Sequence, residues 1–246
     1  MVKNLKIVAI VQARMSSQRL LGKVMKKISR KPLIELLLMR LSRAENIDEI
    51  ILATSSNNEN KILIDHVTKL GFKYYVGSED DVLGRYYEAS LISKADVVVR
   101  VTGDCPLICP SLVDQTINVF INSDSKYLCN IDPPTFPNGL DVEVFSKELL
   151  EEANKFAKSS FDREHVTPYM KKKFSNPDNN LTYSEDLSSL RWTVDTKRDL
   201  KVVRNVFEYF EPDIFFSWLD VLKIHKTFPN LFKENLGTER NIGSHI

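Results

Sequence analysis

The chain has 246 residues, of which 43% are hydrophobic and 27% charged, and this composition fits one compact α/β domain with a sizeable core. Its net charge of +1 gives no global electrostatic case for binding DNA or RNA. No apolar run approaches the roughly 20 residues that span a bilayer, and the amino terminus shows no signal-peptide pattern. Cys105, Cys109 and Cys129 lack metal-site spacing and favour a reducing compartment, so we expect a cytoplasmic protein without a membrane segment.

Apolar strands alternate with amphipathic helices in the first hundred residues. The spacing predicts, in order, a strand Lys6–Val11, a helix Pro32–Ala44, a strand Glu49–Ala53, a helix Asn58–Leu70, a strand Lys73–Val76, a helix Asp81–Ser93 and a strand Ala95–Val101. Either Ser78 or Asp80 is expected to cap the third helix. The alternation predicts a Rossmann-like α/β fold of three layers, with helices on both faces of a mostly parallel sheet.

The pattern changes at about residue 125. Strands are predicted over Lys126–Ile131, Leu140–Val144 and Leu190–Val194, and helices over Lys147–Ala157, near Arg163–Phe174 and over Lys197–Tyr209. The polar and apolar alternation in Leu140–Val144 is typical of a half-exposed strand. We interpret this half as a wall of the substrate pocket. We therefore expect one domain, 1–246, with two halves, 1–124 and 125–234.

The first strand runs straight into a polar, cationic loop, Gln12–Lys23. Its basic residues and serines suit the triphosphate group of a nucleotide. Cations neutralise the phosphate oxygens, while hydroxyls and backbone N–H groups donate hydrogen bonds to those oxygens. The loop matches neither the Walker P-loop nor the dinucleotide-binding fingerprint. A solvated basic surface is the alternative, but ligands of such sheets bind beyond the carboxyl ends of the strands. We therefore predict nucleotide contacts from Gln12, Ala13, Arg14, Ser16, Arg19 and Lys23.

Two aspartates follow predicted strands in the motifs V-T-G-D-C-P and R-W-T-V-D-T. Asp104 alone could form an Asx-turn, and Asp195 alone could cap the helix that follows it. Together they form a pair that could hold one Mg²⁺ over a triphosphate. Nucleotide contact is also predicted for Thr102, beside Asp104. Residues after the second and third strands are expected to hold base and ribose, namely Ala53, Thr54, Ser55, Asp81 and Arg85.

The segment D-R-E-H-V-T-P-Y places an arginine, a carboxylate and a histidine at a predicted helix start. We expect Arg163 and His165, with Asp141 and Glu143, to face the acceptor substrate across the cleft from the nucleotide. Two alternatives remain open. The charged residues could form a structural salt-bridge cluster, and the histidine could be satisfied inside the fold.

Five motifs occur in one order along the chain: Q-A-R-M-S-S-Q-R-L-L-G-K, V-T-G-D-C-P-L-I, G-L-D-V-E-V-F, R-E-H-V-T-P-Y and R-W-T-V-D-T. With them the chain resembles the SpsF-like cytidylyltransferases, named for a spore-coat polysaccharide biosynthesis protein. These enzymes are similar in turn to the synthetases that make CMP-Kdo and CMP-sialic acid. The resemblance covers residues 6–231. It departs at Leu21, where the family loop usually has proline, and this change should loosen the loop without removing a ligand.

The resemblance implies a nucleotidyltransferase of the nucleotide-diphospho-sugar transferase type that uses Mg²⁺. The single nucleotidyltransferase domain, 1–246, would then have a nucleotide-binding half, 1–124, and an acceptor-binding and metal-ligand half, 125–234. It implies catalytic roles for four residues, with Arg14 and Lys23 on the triphosphate and Asp104 and Asp195 as metal ligands. It does not identify the acceptor, because members of the family differ there. We expect CTP, or another nucleoside triphosphate, and a small sugar-like acceptor as substrates, and a homodimer that binds neither nucleic acid nor membranes.

Our hypothesis is a cytidylyltransferase that activates a sugar acid, or a phosphorylated or phosphonylated acceptor, for surface polysaccharide biosynthesis. A guanylyltransferase acting on a sugar 1-phosphate is the first alternative, because backbone contacts can select the base and leave no sequence signal. A non-catalytic nucleotide-sugar-binding protein is the second, and the full set of expected cations and carboxylates argues against it. A glycosyltransferase is the third, but Asp141-Val142-Glu143 is only a loose substitute for its D-x-D motif.

Overall fold

A computed structural model describes residues 5–174, 176–238 and 240. The strands are β1 Ile7–Gln12, β2 Lys27–Ile28, β3 Lys31–Pro32, β4 Glu49–Ser55, β5 Lys73–Gly77, β6 Val97–Thr102, β7 Tyr127–Cys129 and β8 Glu143–Ser146. The helices are α1 Leu33–Leu41, α2 Lys61–Lys69, α3 Val82–Ser93, α4 Pro110–Ile121, α5 Lys147–Phe156, α6 Ser160–His165, α7 Pro168–Lys173, α8 Lys197–Phe210 and α9 Trp218–Thr227. None of the helices in the described ranges is long and apolar enough to cross a bilayer.

The main sheet has six strands in the order β5-β4-β1-β6-β8-β7. The neighbours β5, β4, β1 and β6 pair in parallel, so their carboxyl ends meet at one edge of the sheet. β8 is antiparallel to β6, and β7 is antiparallel to β8. The prediction of an α/β fold with a mostly parallel sheet is therefore confirmed. β2 and β3 form a separate two-stranded ribbon.

Helices cover both faces of the sheet. Alternate residues of β1 point to opposite sides, as a strand requires. Ile7, Ala9 and Val11 pack in a core with residues of α1, α2 and α4, whereas Val8 and Ile10 pack in a second core with α3, α5 and α7. A third apolar cluster lies on the far side of α1, where α8 and α9 pack against it.

Two of the strands predicted in the second half are wrong or misplaced. Leu190–Val194 forms no strand, and only one bridge joins Arg191 to Asn138. Leu140–Val144 is replaced by β8, which starts at Glu143 and is not half-exposed: the Glu143 side chain is 1% exposed. β8 has a neighbour on each edge and a helix-covered core on either face, and this position buries both sets of alternating side chains.

Helix ends also differ from the prediction. The helix expected near Arg163–Phe174 is two helices, α6 and α7, interrupted at Val166, which adopts φ +70°. Asp81, rather than Ser78 or Asp80, caps α3 by accepting the Gly84 N–H at 2.8 Å.

Two further helices, α4 and α9, were not predicted. The cap of α8 is Thr196 and not Asp195, because Thr196 and Asp199 form a reciprocal capping box. The Asp195 side chain is therefore not needed to cap the start of α8.

Candidate active site

The loops that follow β1 and β6 lie against each other. Gly103 directly follows β6, and its N–H donates to the Gln12 carbonyl at 2.7 Å. A Cβ at Gly103 would lie 2.5 Å from Ala13 Cβ and 2.7 Å from the Gln12 carbonyl oxygen, so a larger residue would displace backbone. The close approach places Asp104 beside the cationic loop. The buried Gln12 Oε1 has no hydrogen-bond partner within the described part of the chain.

Lys23 lies between the two predicted metal ligands. Gly22 precedes it at φ +62°, and the Gly22 N–H donates to the Met15 carbonyl at 3.0 Å. Lys23 Nζ donates to Asp104 Oδ2 at 2.7 Å and to Asp195 Oδ1 at 2.8 Å. The Lys23 side chain is 12% exposed and that of Asp195 is 13% exposed, so this contact is largely shielded from water.

Lys23 and Asp104 stabilise each other in their charged forms. Burial disfavours the Lys23 ammonium, but Asp104 and Asp195 outweigh that effect and raise the pKa of Lys23. Burial would also raise the pKa of Asp104, whereas Lys23 and hydrogen bonds from Thr102 and Cys105 lower it to about 2. Lys23 and Asp104 are therefore both charged at neutral pH.

Arg19 and the segment before Asp195 complete the cluster. Arg19 Nη2 lies 3.0 Å from Asp195 Oδ1, the same oxygen that Lys23 contacts, and the Arg19 side chain is 41% exposed. The Val194 N–H donates to the Asp104 carbonyl at 2.8 Å. This bond joins the loop after β6 to a segment ninety positions further along the chain, so both aspartates sit at the same edge of the sheet.

A buried ionic network orients Asp195. Arg191 Nη2 donates to Asp195 Oδ2 at 2.8 Å, and Arg191 Nε donates to Asp199 Oδ1 at 2.8 Å. Asp199 is fully buried, and Asp199 Oδ2 accepts the Asp195 N–H at 3.0 Å. Asn235 Nδ2 also donates to Asp199 Oδ1, at 3.0 Å. Sequence analysis missed this support. Arg191 stands in the same motif as Asp195, and this was the available signal.

Arg14 and Ser16 contact a carboxylate that sequence analysis also missed. Arg14 Nη1 lies 2.6 Å from Glu79 Oε1, and the Ser16 hydroxyl donates to the same oxygen at 2.7 Å. Burial would raise the pKa of Glu79, but hydrogen bonds from Ser55 and Ser16 and the Arg14 charge lower it. Glu79 lies two residues after the end of β5, as Asp104 lies two residues after the end of β6. The rule that identified Asp104, an acid just beyond a strand end, applies to it equally.

The three residues predicted at the end of β4 are fully buried. Ala53 belongs to the core under α3, and its carbonyl accepts the Ala13 N–H at 3.3 Å. Ser55 Oγ accepts from Asn60 Nδ2 at 2.7 Å, while Thr54 Oγ1 has no hydrogen-bond partner among the described residues. Any contact of Ala53 with base or ribose must therefore come from its backbone.

An open cavity of about 600 Å³ lies between α3, α5 and α6. On one side Arg163 Nε and Nη2 donate to the two oxygens of Asp81, at 2.8 and 2.5 Å. On another lies Arg85, which is 1% exposed and donates to the Ser78 and Glu79 carbonyls. Arg85 Nε and Nη2 have no hydrogen-bond partner in the described ranges. Two predicted nucleotide ligands, Asp81 and Arg85, thus share a cavity with Arg163, which was predicted to contact the acceptor.

Glu143 lies in a separate buried cluster. Its carboxylate pairs with Arg100 and Lys171, the latter at 3.4 Å, and accepts from the Tyr127 hydroxyl at 2.7 Å. The structure therefore does not pair Glu143 with Arg163.

Asp141 and His165, the other two predicted acceptor ligands, have different surroundings. Asp141 Oδ1 lies 2.6 Å from Arg240 Nη2, and burial raises the Asp141 pKa although Arg240 opposes the shift. The His165 ring packs 4.5 Å from the Phe161 ring, and burial lowers the His165 pKa. His165 is thus predominantly neutral at pH 7, and the interpretation of it as a histidine satisfied by packing stays open.

Comparison with known proteins identifies the family. The sequence model of the family described as "Cytidylyltransferase" matches residues 8–214. The chain belongs to the cytidylyltransferase family. It is 30% identical to the spore coat polysaccharide biosynthesis protein SpsF of Bacillus subtilis over 230 residues, which cover 88% of this chain and 93% of that protein.

Solved structures agree with this assignment. A cytidylyltransferase from Leptospira borgpetersenii superposes with a TM-score of 0.90 at 28% identity, covering 96% of this chain and 100% of that one. A CMP:2-keto-3-deoxy-manno-octonic acid synthetase solved with CTP shares the fold, with a TM-score of 0.64 at 18% identity over 83% of this chain and 99% of that one. The chain is accordingly a nucleotidyltransferase with the fold of nucleotide-sugar-synthesising enzymes.

The donor set of this cytidylyltransferase suits a hard divalent cation. Asp104 and Asp195 direct carboxylate oxygens to one point, now taken by Lys23 Nζ. Proteins often hold Mg²⁺ through one or two carboxylates, with substrate phosphates and water as the remaining ligands. Larger clusters of three or more metal-ligating side chains are absent from the described ranges. Two carboxylates leave coordination positions open for phosphate oxygens, so the residues present fit a metal shared with a nucleotide.

Replacing Glu143 by glutamine should lower the free energy of unfolding of this cytidylyltransferase by about 3 kcal/mol at pH 7, because Arg100 and Lys171 lose their buried counter-charge. Burial would raise the Glu143 pKa, but the two cations lower it to about 2. A carboxyl group with a depressed pKa stabilises the fold above its unfolded pKa and loses that contribution as the pH falls toward its folded value. Urea unfolding should therefore show a difference between wild type and variant that shrinks from about pH 5 to about pH 2.5.

The matched control is Glu148→Gln, at an exposed position of α5. It should change stability by less than about 0.5 kcal/mol. A Glu143→Gln variant as stable as this control would contradict the assignment of a structural role to the cluster.

Proposed function

We propose that this chain is a Mg²⁺-dependent cytidylyltransferase that activates a sugar acid, or a phosphorylated or phosphonylated acceptor, with CTP for surface polysaccharide biosynthesis. An acceptor oxygen forms a bond to the α-phosphorus of CTP. The bond from that phosphorus to the oxygen bridging the α- and β-phosphates breaks, and its electron pair leaves with pyrophosphate. A hydroxyl acceptor loses its proton to solvent.

The observation that carries this proposal is the meeting of Lys23, Asp104 and Asp195 at the carboxyl edge of the parallel sheet. One ammonium group and two carboxylates in a largely shielded position suit the binding of a metal and a phosphate chain. The family supports CTP as the nucleotide. The names of two relatives, a spore coat polysaccharide protein and a synthetase acting on a keto-deoxy sugar acid, support the acceptor class.

The reaction needs alignment and charge neutralisation more than covalent catalysis. Arg14, Arg19 and Lys23 bind the triphosphate and offset the charge that grows on the leaving pyrophosphate. Asp104 and Asp195 hold Mg²⁺, which supplies further neutralisation of the phosphate oxygens when bound. Arg191 keeps the second oxygen of Asp195 occupied and so orients its carboxylate, an interaction at 2.8 Å. The remaining nucleotide ligands in the proposal are Gln12, Ala13, Ser16 and Thr102.

Base and ribose occupy the region after β4 and β5 in this proposal. The backbone of 53–55 and the side chains of Asp81 and Arg85 form it. Two donor nitrogens of Arg85, Nε and Nη2, have no hydrogen-bond partner among the described residues. The acceptor lies against the half formed by 125–234. There Asp141, His165 and Arg163 are the proposed contacts. Glu143 supports this half through its buried ion pairs with Arg100 and Lys171.

The decisive experiment measures pyrophosphate release with each of the four nucleoside triphosphates against a panel of sugar acids, sugar phosphates and phosphonates. The proposal expects release with CTP, a sugar acid or phosphorylated acceptor, and Mg²⁺, and none after chelation. Release with GTP and a sugar 1-phosphate would assign a guanylyltransferase instead. Binding of nucleotide sugars, with no pyrophosphate release from any pair of nucleoside triphosphate and acceptor, would assign a non-catalytic binding protein.

Replacing Arg163 by alanine should raise the KM for the acceptor by about tenfold to a hundredfold and leave the KM for CTP nearly unchanged, because a charge-assisted hydrogen bond is lost. Steady-state kinetics with each substrate varied in turn provides the measurement. Lys158→Ala is the control, since Lys158 is an exposed cation that lines the same cavity. An equal rise in both KM values would show that Arg163 acts through Asp81 on the nucleotide side.

The working context of the enzyme is also part of the proposal. The three cysteines are all free and buried, as suits a reducing cytoplasm. A homodimer stays a prediction, and sedimentation equilibrium of the purified protein would test it.

A further inference from the structure

Lys23 contacts the two carboxylates that the proposed function assigns to the metal. Its Nζ lies 2.7 Å from Asp104 Oδ2 and 2.8 Å from Asp195 Oδ1. We call the point between these two oxygens the cation position. An ammonium group and a divalent ion cannot both occupy it, because like charges at that separation repel strongly in a shielded site.

We propose that Lys23 occupies the cation position in the nucleotide-free protein and excludes a divalent metal from it. The metal then binds only together with a nucleoside triphosphate, whose phosphates bind the Lys23 ammonium in place of the two carboxylates. This inference rests on the proposed metal site and deepens it. It assigns Lys23 two positions, one on the carboxylates and one on phosphate.

The surrounding chain is built for a side-chain exchange rather than a loop movement. The Lys23 N–H donates to the Leu20 carbonyl at 3.0 Å, and the Gly22 N–H donates to Met15 at 3.0 Å, so the backbone that carries the lysine is fixed. Lysine has a flexible four-carbon stem and a compact charge that rotates freely. Its ammonium group can therefore leave the carboxylates while the loop stays in place.

The positive charge beside the two carboxylates stays the same in the exchange, because one divalent ion replaces two singly charged side chains. In the free protein Lys23 and Arg19 both contact Asp195 Oδ1, and Lys23 also neutralises Asp104. Arg191 holds the other Asp195 oxygen at 2.8 Å, from a side chain that is only 4% exposed. Arriving phosphates draw away the two loop cations, and an incoming divalent ion replaces them on the carboxylates. Arg191 stays and keeps Asp195 oriented throughout.

The test measures metal binding to the nucleotide-free protein, with Mn²⁺ as the probe and the electron paramagnetic resonance signal of unbound Mn²⁺ as the readout. Wild type, Lys23→Met and Lys26→Met are compared. Lys26 is an exposed lysine three positions away, so its replacement removes the same charge without opening the cation position. Lys23→Met should bind one Mn²⁺ with a Kd at least about tenfold lower than wild type, and Lys26→Met should match wild type.

A second variant locates the gained site. Adding Asp104→Asn to Lys23→Met should abolish the tighter binding. Lys23→Met removes the counter-charge of Asp104 and one of the three cations on Asp195, which lowers the melting temperature. Mn²⁺ should therefore raise that temperature more in this variant than in wild type. Mn²⁺ binding by Lys23→Met no tighter than by Lys26→Met would overturn the inference.

The outcome is separable from that of the proposed function. Pyrophosphate release from CTP by wild type, with no gain of Mn²⁺ affinity in Lys23→Met, refutes the lysine exchange and keeps the cytidylyltransferase. If Lys23→Met gains Mn²⁺ affinity but wild type releases no pyrophosphate from CTP with any acceptor, the proposed reaction is refuted and the lysine exchange stands.

Discussion

Replacing Asp104 by asparagine is expected to reduce turnover with CTP by about 10²-fold or more at saturating Mg²⁺. Asparagine keeps the size of the side chain but removes the charge that a divalent cation needs beside the α-phosphate. The fold should survive, because Asp104 follows β6 at the sheet edge and its side chain is 23% exposed. Initial rates of pyrophosphate release across a Mg²⁺ titration measure the effect.

Asp80→Asn serves as the control for that experiment. Asp80 is an exposed carboxylate in the loop after β5, at the same edge of the sheet. It should retain near-normal turnover. Near-normal turnover of Asp104→Asn at saturating Mg²⁺ and CTP would contradict the role of Asp104 as a metal ligand.

Replacing Lys23 by methionine is expected to lower kcat by about 10²-fold or more with a smaller change in the KM for CTP. The reason is that negative charge grows on the leaving pyrophosphate, so the cation stabilises the transition state more than the bound nucleotide. Steady-state kinetics with CTP varied at saturating acceptor gives both constants. A change confined to KM would mean that Lys23 only tethers the triphosphate, and Lys26→Met is again the charge-matched comparison.

The parallel half of the sheet was predictable because its strands carry an unmistakable signal. β1, β4 and β6 are continuous apolar runs buried on both faces, and each lies within two residues of its predicted bounds. A parallel sheet then places the loops after these strands at one edge. Arg19, Lys23 and Asp104 were expected there for that reason. Asp195 was expected there from a strand Leu190–Val194 that does not form, and the structure nevertheless places Asp195 within hydrogen-bond distance of Lys23 and Arg19.

The second half was less predictable because its backbone bonds depend on tertiary partners. The apolar segment Leu190–Val194 looks like a strand, but the Trp192 N–H donates to Asn138 and the Val194 N–H donates to Asp104. These are single contacts to loops and not a ladder. No local pattern distinguishes such a segment from an edge strand.

The residues that support the site were not predictable for a related reason. Glu79 pairs with Arg14 and Asp199 pairs with Arg191. Their role is to hold side chains that face the cleft, and such a role becomes visible only when the partners are adjacent in space.

The hydrogen bond from the Val194 N–H to the Asp104 carbonyl also has a consequence for how the enzyme is made. Chains are synthesised from the amino terminus, and the strands β1, β4, β5 and β6 leave the ribosome well before Asp195 and Asn235. The nascent protein thus acquires the loop Gln12–Lys23 first. Arg191 and Asp199 gain their Asn235 partner only near the end of translation. A chain that stops before Asn235 therefore carries the Gln12–Lys23 loop without the complete buried network that orients Asp195.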